Sequence, residues 1–196
     1  MPLLGPKCQY CACPLYDDSY LVCGQCIKKR PYFDQAIIHY TFEEPLRGLL
    51  HQFKYYNALY LTSFLSHLMI NSLSHTTLNA QCLIPVPLHP QKLKARGFNQ
   101  AALLAKKLGK KLNIPYDLTS CKKIINTAPQ ASLDGEQRQK NLRNAFKVQT
   151  IPYQYVIIID DLLTTGSTAN ELARSLKQKG VQQVDIWCCA RTLAKE

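Results

Sequence analysis

An apolar run delivers two adjacent carboxylates and then a loop of hydroxyls in Val156-Ile157-Ile158-Ile159-Asp160-Asp161-Leu162-Leu163-Thr164-Thr165-Gly166-Ser167-Thr168. Residues 155–159 are near-continuously β-branched, the composition of a strand buried on both faces. Asp160 and Asp161 then stand at the strand's C-terminal end, where open α/β sheets bind ligands. Thr164, Thr165, Ser167 and Thr168 surround Gly166, and the chain runs directly into a helical pattern. Backbone N–H groups and hydroxyls at such a helix start form a cradle for a phosphate. The paired carboxylates can accept hydrogen bonds from two vicinal hydroxyls, and their charge stabilises a cation developing at an anomeric carbon. Phosphate plus vicinal hydroxyls is what a ribose 5-phosphate offers. Capping does not account for the pair, because a cap uses one short polar side chain beside the first turn. Nor is this a Walker A loop, since no lysine follows the glycine.

On either side of this stretch, strands and helices alternate. Residues 36–42 read as a strand. Leu46, Leu49, Leu50 and Phe53 recur at helical spacing over 45–56, and a second helix is expected over 58–73. Leu83-Ile84-Pro85-Val86-Pro87 is a short strand ended by prolines, and a basic loop over 89–97 follows it. Helices are expected over 98–112, 136–146 and 167–179, with strands at 120–125 and 184–190. The lone Trp187 falls in the last strand and reads as core. This alternation argues for an α/β fold with an open, mainly parallel sheet flanked by helices.

Five of the nine cysteines lie between Cys8 and Cys26. Cys8-x2-Cys11 and Cys23-x2-Cys26 each place two thiolates on one tight turn, and two such turns supply an all-sulfur tetrahedral shell that suits zinc. Cys13 is a fifth thiol that could replace Cys11. The odd count, the clustering and the lack of an export signal favour metal ligation over disulfides. Residues 1–30 therefore read as a small zinc-binding knuckle, and 31–196 as the main domain. No position is left open for water, so the metal's role is structural.

With 46% hydrophobic and 19% charged residues over 196 positions, the composition is that of an ordinary globular protein. Apolar runs such as 156–159 are far too short to span a bilayer, and residues 1–8 do not resemble a secretory signal. A soluble, cytoplasmic protein without membrane insertion is expected. Lys and Arg outnumber Asp and Glu 24 to 13, a net charge of +11, which favours anionic partners. Lys106, Lys107, Lys110 and Lys111 fall opposite the apolar face of Ala101, Leu104, Ala105, Leu108 and Leu112. Such a stripe is most often a solvated face.

The thirteen residues 156–168 resemble the 5-phosphoribosyl-1-diphosphate (PRPP) signature of type I phosphoribosyltransferases. The resemblance implies that Asp160 and Asp161 contact the ribose hydroxyls and act in catalysis. It also implies that Thr164, Thr165, Gly166, Ser167 and Thr168, with Leu162 and Leu163 leading into them, hold the 5-phosphate. Mg2+ would be carried mainly by diphosphate and ribose oxygens. Together with the cysteines, further motifs resemble the ComF family of competence-associated phosphoribosyltransferase-like proteins. They are Pro85-Val86-Pro87-Leu88-His89, Arg96-Gly97-Phe98-Asn99-Gln100, Phe53-Lys54-Tyr55 and Thr127-x2-Gln130-x2-Leu133-x4-Arg138-x2-Asn141-x3-Ala145-Phe146. This adds Lys54 and Arg96 to the expected PRPP-binding residues. Lys123 stands where that family usually has arginine, and lysine lacks arginine's bidentate fork.

The family resemblance implies a role in DNA uptake during natural transformation, with single-stranded DNA and competence or recombination proteins as partners. Lys92, Lys94, Arg96, the run of lysines over 106–111 and the Lys28-Lys29-Arg30 run could track the strand, while Tyr10, Tyr32, Phe33, Tyr55 and Tyr56 could stack on bases. Phosphoribosyl transfer to an unknown acceptor is compatible with that role. A nucleotide-metabolism transferase without a DNA role is the alternative, although such enzymes do not usually carry a four-cysteine knuckle. Few residues follow the last strand, so any hood over the acceptor must come from the knuckle and residues 32–56.

Overall fold

The computed structural model describes residues 1–73, 78–126 and 142–193. Five strands form the main sheet: β1 (Gln35–Ile37), β2 (Tyr40–Thr41), β3 (Cys82–Pro85), β6 (Tyr155–Leu163) and β7 (Gln183–Arg191). The order is β1-β7-β6-β3, with β2 also on β7, and every pairing is parallel. β4 (Cys121–Lys123) and β5 (Phe146–Val148) make a separate antiparallel pair. The helices are α1 (Gly24–Lys28), α2 (Leu46–Tyr55), α3 (Leu61–Asn71), α4 (Pro90–Arg96), α5 (Gln100–Leu112) and α6 (Ser167–Lys177).

β6 shows why the sheet is covered on both faces. Val156 and Ile158 pack with Leu172 and Leu176 of α6, whereas Ile157 and Ile159 pack with Leu104 and Leu108 of α5. All four strand residues are fully buried. A β-branched side chain at each successive position therefore serves one face or the other. Trp187 is buried on the α5 side, and its indole N–H donates to Ser72 Oγ at 3.3 Å.

Several expected elements need correcting. The strand expected over 36–42 is broken after Ile37, although both pieces keep one register on β7, Ile37 opposite Trp187 and Tyr40 opposite Ala190. Leu4 donates its N–H to the His39 carbonyl at 2.7 Å, which draws that backbone toward the N-terminal segment. The basic loop expected over 89–97 is instead the helix α4: His89 Nδ1 caps it by accepting from Gln91 N–H, Pro90 occupies its first turn, and Gly97 ends it in the left-handed region (φ 81°). Of the helix expected over 136–146, residues 136–141 lie outside the described residues. Its end is a turn through Asn144 (φ 59°), and Phe146 begins β5.

The knuckle is docked onto this body. Cys8 N–H donates to the Cys13 carbonyl at 2.8 Å and Ala12 N–H to the Cys8 carbonyl at 2.9 Å, closing the first turn. Cys23 precedes α1, which carries Cys26. Ala12 is fully buried and belongs to the same core as Phe33 and Leu163. Lys7 Nζ reaches the Ile38 carbonyl at 2.6 Å. Among the described residues no helix is long and apolar enough to cross a membrane.

Candidate functional site

β3 and β6 end side by side, with Pro85 opposite Ile159, and a cleft of about 660 Å³ opens beyond them. Asp160, Asp161 and Leu162 bring the end of β6 into it, Thr164 and Thr168 come from the following loop, and Val86 to Leu88 continue from β3. Asp161 is buried and pairs with Lys54 of α2, Nζ to Oδ2 at 3.0 Å. The Asp160 carboxylate accepts Asp161's own backbone N–H at 2.9 Å. Burial first, then repulsion from Asp161, pushes the Asp160 carboxyl well above the usual carboxylate range, only partly offset by Lys54. Burial alone would lower the Lys54 ammonium; Asp161, then Asp160, outweigh it and raise the pKa above the ordinary lysine value.

Four cations face the two carboxylates across the cleft: Lys54, Lys92, Arg96 and Lys123. Burial and the neighbouring Arg96 lower the Lys92 pKa, and burial and Lys92 lower that of Lys123. Crowded cations of this kind gain from an anion that spans them. Arg96 is oriented by Gln100, Nη1 to Oε1 at 2.7 Å, and lies over the Tyr55 ring at 5.4 Å. Sequence reasoning placed Lys92 with DNA and noted Lys123 only for the arginine it replaces. The basic segment 89–97 was expected to hold a diphosphate, but as a loop rather than as α4, and neither Lys92 nor Lys123 was named as a site residue.

The hydroxyl loop turns at Gly166, whose φ of 77° favours glycine. A Cβ there would meet only ordinary contacts with Phe33 and Leu163 at 3.9 Å, so conformation rather than crowding demands the glycine. Thr165 Oγ1 and Ser167 Oγ are 2.9 Å apart at the N-terminus of α6. Leu163 is turned into the core. Thr165, Gly166 and Ser167 line a smaller hollow of about 190 Å³ shared with Cys11, Cys26 and Arg191, whereas Thr164 and Thr168 face the main cleft. The loop thus borders both cavities.

Arg191, at the end of β7, ties the loop to the knuckle. Its Nη1 donates to the Leu163 carbonyl at 3.1 Å and to the Thr164 carbonyl, and its Nε donates to the Cys11 carbonyl at 3.2 Å. Phe33, a candidate for base stacking, is instead buried beneath Gly166 as part of the core. Tyr32, Tyr55 and Tyr56 are exposed, while Tyr10 is half-buried beneath Arg30, 4.7 Å from its ring centre. The stretch from Thr127 to Asn141 lies outside the described residues.

Cys8, Cys11, Cys23 and Cys26 bring their four sulfurs within 4.8 Å of one another, and Cys11 Sγ is 3.6 Å from Cys23 Sγ. A tetrahedron with metal–sulfur bonds of about 2.3 Å has edges of about 3.8 Å, so the set fits a metal ion such as zinc. Cys13 lies outside this group. Burial raises the Cys23 and Cys26 thiols, so ionising them calls for a cation.

The fold and site define an α/β protein with a paired-carboxylate, cation-walled cleft at the C-terminal ends of a parallel sheet, and beside it a four-cysteine cluster that fits a metal ion. Across 95% of its length the chain is 34% identical to "Competence protein F" of Haemophilus influenzae, covering 85% of that protein. It is also 34% identical to "DNA utilization protein YhgH" of Escherichia coli, covering 84% of it, and 27% identical to "Competence protein ComFC" of Bacillus subtilis, covering 74%. The chain belongs to the competence protein F family. No family model matches it.

Proposed function

We propose that this chain is a PRPP-binding, phosphoribosyltransferase-like protein that acts in DNA uptake and utilisation. One observation carries the PRPP reading: Asp160 and Asp161 lie between a cation-walled cleft and a hydroxyl loop that opens a helix. Asp160 and Asp161 would hold the ribose hydroxyls, and residues 164–168 the 5-phosphate at the start of α6. Lys54, Lys92, Arg96 and Lys123 would hold the diphosphate. Asp161 is already paired with Lys54, so it is not free to form a cage for Mg2+. That ion would enter on the diphosphate and neutralise part of the leaving group's charge. The carboxylates would then stabilise positive charge at the anomeric carbon as the C–O bond lengthens.

Zinc fits the cysteine set and would hold the knuckle in a structural role. The DNA role draws on the relatives' names, which speak of competence and DNA utilization. It draws also on exposed Lys106, Lys107, Lys110 and Lys111 and on Lys28, Lys29 and Arg30 beside the knuckle. Single-stranded DNA and competence or recombination proteins would be the partners, in the cytoplasm.

Calorimetric titration of PRPP with Mg2+ into wild type and into Asp160→Asn/Asp161→Asn tests the core of this reading. Saturable binding that vanishes in the double variant is expected. A folded, zinc-loaded wild type that does not bind PRPP would refute it.

A further inference from the structure

Arg191 is a buried cation with no acidic partner among the described residues. Its guanidinium is held by oxygens of the main chain: Nη1 donates to the Leu163 and Thr164 carbonyls, and Nε to the Cys11 carbonyl. A cation bound to neutral oxygens keeps its charge, and burial makes an anion within its field favourable. The small hollow that it borders is lined also by Lys29 and Arg30 of the knuckle, and by no acid. The back of the hydroxyl loop is therefore electropositive.

Peptide geometry turns these contacts into an orientation. In a trans peptide the C=O and the following residue's N–H lie in one plane and point in opposite directions. With the Leu163 and Thr164 oxygens both drawn to Arg191, the N–H groups of Thr164 and Thr165 are turned away from the guanidinium. On that other side of the loop Thr164 and Thr168 border the main cleft. A hydrogen bond accepted at the carbonyl also polarises the peptide and strengthens its N–H as a donor. The helix end of the loop is fixed as well. Asn170, in the first turn of α6, accepts the Tyr32 N–H at 2.6 Å, and Phe33 packs against the Gly166 turn.

Resting on the PRPP reading of the cleft, we propose that Arg191 is a positioning residue for the ribose 5-phosphate. It aims the Thr164 and Thr165 N–H groups at that phosphate from behind the loop, without touching the ligand, and the Cys11 carbonyl holds the guanidinium in place. The knuckle thereby takes part in phosphate recognition. The cations that face the diphosphate end stand on other elements, Lys54 on α2, Lys92 and Arg96 on α4 and Lys123 on β4. The two ends of the ligand should therefore respond separately to a change at Arg191.

The test compares ribose 5-phosphate with inorganic diphosphate and Mg2+ by calorimetry, with PRPP and Mg2+ alongside, in wild type, Arg191→Met and Arg191→Lys. Each protein is kept well below its melting point, and its folding is checked by circular dichroism. Arg191→Met should weaken ribose 5-phosphate and PRPP by at least about tenfold, a little less than one hydrogen bond involving a charged group. Diphosphate binding should stay unchanged. Arg191→Lys keeps the charge but reaches fewer carbonyls, and should fall between. In proton–nitrogen correlation spectra the Thr164 and Thr165 amide protons should move downfield when wild type takes up ribose 5-phosphate, and the shift should shrink in both variants. If Arg191→Met does not fold, Arg191→Lys carries the same comparison. Equal weakening of ribose 5-phosphate and diphosphate in a folded variant marks a merely structural role and overturns the proposal. Ribose 5-phosphate binding indifferent to both variants overturns it too. In either case PRPP binding by wild type leaves the PRPP reading standing. A folded wild type that binds neither PRPP nor ribose 5-phosphate overturns that reading and this one with it.

Discussion

Replacing Arg191 by methionine should loosen the cysteine knuckle and the hydroxyl loop together. Arg191 is only 7% exposed, and its guanidinium donates to the carbonyls of Cys11, Leu163 and Thr164. A hydrogen bond involving a charged group contributes about 1.5–3 kcal/mol. The three share one head group and do not add fully, and removing a buried charge returns some desolvation energy. The net loss should be about 3–4 kcal/mol, which for a chain of this size lowers Tm by roughly 6–16 °C. Thermal unfolding followed by circular dichroism should be run on zinc-loaded and chelator-treated protein, with zinc release followed in parallel by a chromogenic chelator. Arg191→Met should release zinc faster, and should destabilise the loaded protein by at least about 1 kcal/mol more than the metal-free one, because only the loaded knuckle holds the Cys11 carbonyl in place. Arg191→Lys keeps the charge without the fork and should fall between the two. Equal losses with and without metal, within about 0.5 kcal/mol, would show that Arg191 does not couple the two parts.

Asp160→Asn should stabilise the unliganded protein by about 0.5–2 kcal/mol at neutral pH while removing PRPP binding, a trade of function for stability. The native Asp160 pKa lies above the ordinary 3.8, so the folded state holds the extra proton. Stability from this group therefore falls as pH rises from 3.8 through the raised value, and the substitution should flatten that slope in denaturant titrations across pH. Lys54→Met leaves Asp161 buried without its cation and should cost about 3–5 kcal/mol by urea unfolding; a loss under about 1 kcal/mol would mean that water replaces the lysine. Metal analysis should give about one zinc per chain, lost when Cys8 and Cys11 are both serine. Neutralising Lys106, Lys107, Lys110 and Lys111 should reduce the salt slope of single-stranded DNA binding by up to about 3, at about 0.7 per phosphate contact. An unchanged slope would make that helix face merely solvated.

The strand carrying Asp160 and Asp161 was legible because burial on both faces demands the uninterrupted run at 156–159, and the cysteine spacing announced itself because a metal shell needs turns of that length. α4 was missed for want of apolar periodicity, since none of its residues is buried; yet Pro90 in the first turn and Gly97 just past the end were readable signals. The site's electrostatics lay further out of reach. Lys54 and Asp161 are 107 residues apart, and only the folded sheet shows that α2 delivers the lysine to that carboxylate. The burial of Phe33 was equally invisible, because its partner Gly166 belongs to a different part of the chain.

Among the described residues β1 pairs with β7 alone, and Asp34 just before it accepts the Val184 N–H across 150 residues. On the ribosome, at about 5–20 residues per second, the first strand therefore waits about 8–30 s for its neighbour. The knuckle waits longer still, since Arg191 is 180 residues beyond Cys11. During that interval a metal could already close the cysteine turns, but the loop of hydroxyls would have neither its anchor nor its helix. The hydroxyl loop bordering the cleft thus gains its anchor late, and folding of this chain should be slow, limited by long-range strand pairing rather than by its helices.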